Sequence, residues 1–191
     1  KASAVPSASG KIAVGIMLAS TVMIVRATLL VSLFNANLLA DMWFAFAATF
    51  VVAAGVVVYY FFKNKTEDFK GVEIEYKNPF DLKEAMILGL SFGAIVALVK
   101  LSKEYVGNSG IYVVSILSGI TDVDAIILSL SQVAGNGLEF SVAAFGIMAA
   151  VSSNSASKFM ICFFTGSKEL VKTVAVYYFA VTLTFAAALY I

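Results

Sequence analysis

Long runs of apolar residues alternate with short polar segments along the whole chain. Six runs are as long as the roughly 20 residues that a helix needs to cross a hydrocarbon core about 30 Å thick. Apolar runs of this length indicate membrane-spanning helices rather than strands. We therefore predict an all-α polytopic transmembrane bundle of about six spans. The spans are Ile12–Phe34, Leu39–Phe62, Leu82–Tyr105, Ile111–Val133, Phe140–Phe164 and Leu170–Ile191.

The connections between these runs are short, with one exception. Lys63–Phe80 carries four lysines and four acidic residues between the second and third spans, and we expect it to be a polar loop. Nothing else suggests a domain boundary, so residues 1–191 read as a single transmembrane domain. The sequence begins at Lys1 instead of methionine, and we expect it to be a fragment of a longer chain.

Composition supports the membrane assignment. The 191 residues are 61% hydrophobic and only 13% charged, whereas soluble domains are about 45–50% apolar and about 25% charged. We therefore expect an integral protein of a prokaryotic inner or plasma membrane, with the lipid bilayer as its main partner. The net charge of +1 gives no indication of nucleic-acid binding.

The residue types present argue against an enzyme. The chain has no histidine, which is the commonest transition-metal ligand and the usual proton carrier near neutral pH. The single Cys162 lies in an apolar run and cannot form an internal disulfide or a cysteine metal cage. We expect no catalytic residues and no cofactor, apart from a possible bound cation.

Two carboxylates interrupt the fourth apolar run. Asp122 and Asp124 lie inside Ile111–Val133, where an ionisable side chain costs roughly 2.5–3.5 kcal/mol on insertion scales. On a continuous helix, residues two apart point about 200° away from each other and cannot easily share a ligand. We therefore predict a broken fourth span near Gly119, with residues 118–121 non-helical, so that the two carboxylates converge.

The oxygens near this break suit a hard cation. Carboxylate, hydroxyl, amide and carbonyl oxygens suit hard cations such as Mg²⁺, Ca²⁺, Na⁺ or H⁺. We predict an intramembrane ion site of a transporter or channel, with Asp122 and Asp124 as the charged ligands. The predicted ion-binding residues are Asp122, Asp124, Ser118, Thr121, Asn154 and Ser153.

A structural interpretation competes with the ion site. Arg26 and Lys158 lie within the first and fifth spans and could neutralise Asp122 and Asp124 in a buried salt-bridge network. Asp124 could also simply begin a helix. The protein would then be a non-transporting scaffold or regulatory subunit. The two interpretations can coexist if an arriving cation displaces Arg26 or Lys158 from its carboxylate.

Small residues in the third span suggest helix association. Gly89 and Gly93 have the Gly-x-x-x-Gly spacing that allows two membrane helices to approach closely. We expect them to contact a second copy of the chain or a partner membrane helix, although small residues are also common in membrane helices that form no such contact.

Several of these motifs together resemble a known family. The string Leu117–Ile126, with Asn78–Pro79, Lys100–Gly110 and Ser153–Lys158, looks like the MgtC/SapB-type membrane proteins. More narrowly, it resembles the C-terminal multi-helix membrane domain of unknown function found in many of them. The resemblance implies a role in membrane transport, and the family name suggests magnesium-linked physiology.

Overall fold

The computed structural model describes residues 6–63 and 82–189, and within them the chain is helical, without a strand. The all-α class is therefore confirmed. Nearly all of the expected polar loop, from residue 64 to residue 80, lies outside the described residues. The helices are α1 (Pro6–Phe34), α2 (Ala36–Lys63), α3 (Leu82–Val106), α4 (Asn108–Thr121), α5 (Val123–Val133), α6 (Phe140–Thr165) and α7 (Lys168–Ala188).

Four of the described helices, α1, α2, α6 and α7, are long and apolar enough to cross a membrane. They indicate an integral membrane protein. Of the other two predicted spans, one corresponds to α3 and the other to α4 followed by α5. Neither α4 nor α5 is long enough to cross a membrane by itself. The long helices carry apolar side chains on their outer surfaces, as lipid contact requires. Examples are Leu33, Trp43 and Phe179, which are 76%, 61% and 72% exposed.

The chain leaves the helical conformation between α4 and α5 at a single residue, Asp122. Its backbone is extended, with φ −147° and ψ 116°. Its N–H donates to Ser118 O at 2.8 Å and closes α4, while its Oδ1 accepts from Asp124 N at 3.0 Å and caps α5. The prediction that residues 118–121 are non-helical is wrong, because these residues form the last turn of α4.

Gly119 is needed for packing instead of unwinding. It lies where α4 crosses α6, and a Cβ added to it would come 2.8 Å from the Cα of Ala150. One turn away, a Cβ on Gly146 would meet Leu130 Cδ1 at 2.8 Å and Ser115 Oγ at 3.1 Å. Small residues four apart on each helix, Ser115 and Gly119 in α4 and Gly146 and Ala150 in α6, therefore allow the two backbones to approach closely.

Helix α1 and the residue directly after it, Asn35, contact both ends of α5. At the far end, the Asn35 amide donates to Ser131 O and Ala134 O at 3.0 Å each, and its Oδ1 accepts from Leu38 N. At the near end, Arg26 of α1 pairs with Asp124. Arg26 and Asn35 are nine residues apart, or about 14 Å along a helix, which matches the length of α5. The two helices therefore lie side by side and run in the same direction.

Polar bonds also join α1 to α7. The hydroxyl of Thr21 lies 2.9 Å from Tyr177 Oη, and that of Ser20 lies 2.9 Å from Tyr178 Oη. All four side chains are buried. Such bonds between helices supplement van der Waals packing where lipid removes the hydrophobic driving force.

We expect Gly119→Ala to lower the free energy of unfolding by about 1–3 kcal/mol, because the added methyl group overpacks a backbone contact that cannot yield. The measurement is thermal unfolding of the purified chain in detergent. The matched control is Gly15→Ala in α1, where an added Cβ meets no atom within 4 Å. This control should be neutral or slightly stabilising, because alanine favours helix. Equal effects of the two substitutions would contradict the tight crossing.

Candidate functional site

A polar cavity lies beside the break between α4 and α5. Its volume is about 310 Å³, and it is lined by α1, the α4–α5 junction and α6. Apolar side chains of α1 form part of its wall. Its polar lining consists of Arg26, Thr121, Asp122, Asn154 and Lys158.

Arg26 and Asp124 form a two-pronged ion pair. Arg26 Nε donates to Asp124 Oδ1 at 3.0 Å, and Nη2 faces Oδ2. The Arg26 side chain is 59% exposed and that of Asp124 is 24% exposed. The guanidinium fork matches both oxygens of a carboxylate, which fixes orientation as well as charge. Asp124 is thus already neutralised, and it does not line the cavity.

Asp122 has no cationic partner. One of its oxygens caps α5, and among residues 6–63 and 82–189 no lysine or arginine lies within ion-pair distance of it. The carboxylate nevertheless lines the cavity. Asp122 and Asp124 are therefore close in sequence, but Asp122 lines the cavity whereas Asp124 pairs with Arg26.

Lys158 likewise lacks a carboxylate. Its Nζ lies 3.2 Å from Met23 Sδ, which is a weak acceptor. Within the described parts of the chain it forms no ion pair. It lines the same cavity as Arg26, so two cationic groups face one space. An ammonium group held only by a thioether has most of its hydrogen-bonding capacity unused.

Asn154 and Ser153 of α6 donate hydrogen bonds to backbone carbonyls of α4. Asn154 Nδ2 donates to Gly119 O at 2.9 Å, and Ser153 Oγ donates to Ile116 O at 2.8 Å. The last carbonyls of a helix have no partner within the helix, and Asn154 satisfies one of them, that of Gly119. Ile116 lies before the last four residues of α4, so Ser153 adds a bond to a carbonyl inside the helix. Asn154 is only 9% exposed, and its Oδ1 has no partner among the described residues.

The six predicted ion-binding residues therefore fall into two groups, those that line the cavity and those that do not. Asp122, Thr121 and Asn154 line the cavity, whereas Ser118, Ser153 and Asp124 do not. Ser118 is buried, and its carbonyl accepts from Asp122 N and from Thr121 Oγ1. In the described part of the chain no three acidic, histidine or cysteine side chains are grouped as a metal centre would need. A cation at this place would depend on neutral oxygens as well as on Asp122.

Two further features matter for the expected contacts. Met23 is a contact of Lys158 that sequence reasoning missed, and nothing in an apolar helix distinguishes such a methionine beforehand.

Gly89 and Gly93 are exposed, and a Cβ on either would meet nothing within 4 Å. They take part in no close crossing within this chain, so their association with another helix stays a prediction.

We expect Arg26→Gln and Asp124→Asn to be strongly non-additive. Each single change leaves the other charge unpaired, whereas the double change removes both charges. Residues in one ion pair show coupling energies of about 0.5–3 kcal/mol. A double-mutant cycle on the free energy of unfolding measures this coupling.

The control cycle combines Arg26→Gln with Glu169→Gln. Glu169 lies beside Ser167, which bonds Ser9, and Ser9 is 17 residues, or about 25 Å, from Arg26 along α1. This cycle should be additive. Additivity in both cycles would show that the Arg26–Asp124 pair contributes nothing to stability.

Comparison with known proteins gives the family. A family model described as "Domain of unknown function (DUF4010)" matches residues 1–166. An "Uncharacterized protein" of Aquifex aeolicus (strain VF5) is 38% identical over 114 residues, which make up 59% of this chain and 50% of that protein. The chain thus matches about half the length of this relative. No solved structure matches the chain. Because the family model covers most of the sequence, the chain belongs to the DUF4010 family of domains of unknown function.

Proposed function

We propose that this chain is a transport domain, a transporter or channel, in which a small charged solute binds in the cavity beside Asp122. One observation carries the proposal. The cavity contains a carboxylate, Asp122, and an ammonium group, Lys158, that are not paired with each other or with any other described residue. Ionisable groups inside a membrane are costly, and those that persist commonly mark a solute or ion pathway.

The depth of the cavity supports this function. Helix α5 has 11 residues and therefore rises about 16 Å from the turn at residues 134–138. That is about half of a 30 Å hydrocarbon core. If the turn lies at one membrane surface, Asp122 lies near the midplane, where transporters commonly bind their substrates at interrupted helices.

We further propose that α4 and α5 cross the membrane together as one interrupted span. With Asp122 they cover residues 108–133, a length of about 39 Å if both helices are collinear. Non-helical backbone within a membrane is tolerated where it lines a cavity or is buried in protein, and Asp122 does line one. With α3 as a further span, the total is six, as the apolar runs predict.

A hard cation is the solute that the sequence predicts at the aspartate pair. Asp122 and the unpartnered Asn154 Oδ1 are acceptors that favour it. It would also need Asp124, and the cation would then have to displace Arg26 from that carboxylate. The link to magnesium rests on the MgtC/SapB resemblance, and the matched family and relative are named only as uncharacterised.

The alternative is a non-transporting scaffold or regulatory subunit. The Arg26–Asp124 pair fits that alternative, because it joins α1 to α5 and has no free charge. A scaffold gains nothing, however, from a cavity that leaves Asp122 and Lys158 unpaired. A dry and fully paired charge cluster would be its expected form.

Solvent access tests the transport proposal without knowledge of the solute. We expect a cysteine at position 121 (Thr121→Cys, in a Cys162→Ser background) to react with a membrane-impermeant thiosulfonate in proteoliposomes, because Thr121 lines the cavity. The control is Ile120→Cys. Ile120 is 52% exposed on the outside of α4 and is not in the cavity wall.

The two positions differ in depth by only about 1.5 Å, so a difference in labelling reports the cavity and not the membrane surface. Labelling at 121 and protection at 120 is the expected result. Protection at both positions would favour the scaffold.

A further inference from the structure

We propose that the cavity binds a small zwitterion, a molecule that carries one carboxylate and one ammonium group, as a free α-amino acid does. The inference rests on the proposed function and names the class of solute. Its basis is that the cavity presents an unused anionic acceptor and an unused cationic donor at the same time. The volume of about 310 Å³ is at the lower end of the roughly 300–1,000 Å³ that small-molecule sites occupy.

The acceptor side consists of Asp122 and Asn154. Asp122 uses one oxygen to cap α5, and its charge has no counter-ion among the described residues. Asn154 Oδ1 is buried and has no partner, although the amide is held in place through its other end by Gly119 O. Leaving a buried acceptor without a donor destabilises the fold. An ammonium group of a ligand offers three donors, and Asp122 provides the opposite charge for it in the cavity wall.

The donor side consists of Lys158 and Arg26. Among the residues that the structure describes, Lys158 Nζ has the sulfur of Met23 as its hydrogen-bond partner and no carboxylate. Arg26 directs two of its nitrogens to Asp124, and a guanidinium has five N–H donors in all. Arg26 and Lys158 both line the cavity wall. A ligand carboxylate would accept from both without breaking the Arg26–Asp124 pair.

Charge balance separates a zwitterion from a simple ion. Arg26, Lys158, Asp122 and Asp124 together have no net charge. A bound monovalent cation would leave one positive charge in excess, next to two groups that repel it, and a bound anion would leave one negative charge in excess. Uncompensated charge inside a membrane protein is costly. A zwitterion keeps the sum at zero and gives each unpaired group an opposite partner.

The competing outcome is internal pairing. Lys158 has a flexible stem and could turn towards Asp122 in the membrane, which would leave no charge for a ligand. The binding experiment separates these outcomes, because an internally paired site responds to no zwitterion.

The test is thermal unfolding of the purified chain in detergent with five probes at equal concentrations. L-alanine carries both charges, propionate carries only the carboxylate, alanine methyl ester carries only the ammonium, and MgCl₂ and NaCl each supply a hard cation. We expect L-alanine alone to raise the unfolding temperature, with a shift that grows with the logarithm of its concentration.

Substitutions on both sides of the cavity complete the test. Asp122→Asn and Lys158→Met should each lose the alanine shift, while Lys158→Arg should retain part of it because the charge remains. The matched controls, Asp41→Asn and Lys172→Met, remove exposed charges outside the cavity and should keep the full shift. Unfolding without ligand shows that each variant is folded.

Each outcome has a distinct meaning. A shift with MgCl₂ or NaCl but not with alanine overturns the zwitterion and leaves the transport proposal intact. A shift with propionate or the methyl ester as large as that with alanine also overturns it, because one charge would then suffice. No shift with any probe, together with protection of the cysteine at position 121, would remove both the inference and the proposed function.

Discussion

The extended backbone of Asp122 is the constraint on which the rest of the structure depends. A helix that ends inside a membrane-spanning bundle exposes carbonyl and N–H groups that lipid cannot satisfy. Here the protein supplies partners from its own groups: the Asp122 carboxylate caps α5, and Asn154 donates to Gly119 O in the last turn of α4. The interruption is therefore part of the fold and not a local defect.

The neighbouring contacts follow from that break. A helix of only 11 residues has little stability alone, and α1 holds α5 at its start through Arg26 and at its end through Asn35. The donors of α6 reach α4 only because Gly119 lets the two backbones meet. The same geometry opens a cavity, because Asp122 separates two helices that would otherwise pack continuously along α6.

The sequence was informative where the physical signal was long or costly. Apolar runs predicted the helices, with α3 extending only one residue beyond its run and α2 beginning three residues earlier than its run. The cost of charge in lipid identified Asp122, Arg26 and Lys158, which line one cavity. The existence of an interruption in residues 111–133 also followed from the polar residues there.

The details that failed depended on tertiary contacts. The sequence predicts unwinding near Gly119, a glycine in an apolar span flanked by polar groups. Its missing side chain instead allows a close crossing with Ala150, which no local pattern reveals. Two aspartates two positions apart suggested one shared ligand. Because the backbone of Asp122 is extended, Asp122 instead lines the cavity, while Asp124 pairs with Arg26. Which of two cations pairs with which carboxylate is decided by helix packing and not by spacing in the sequence.

Solute uptake tests the central claim most directly, namely that the break at Asp122 forms a pathway through the membrane. Proteoliposomes containing the wild-type chain, Asp122→Asn or Asp41→Asn would be given a labelled mixture of amino acids and, in parallel, labelled Mg²⁺ and Na⁺. The account predicts that at least one solute enters with the wild type and with Asp41→Asn, and that Asp122→Asn abolishes its uptake. Uptake equal to that of protein-free vesicles in all three, or unchanged by Asp122→Asn, would contradict it.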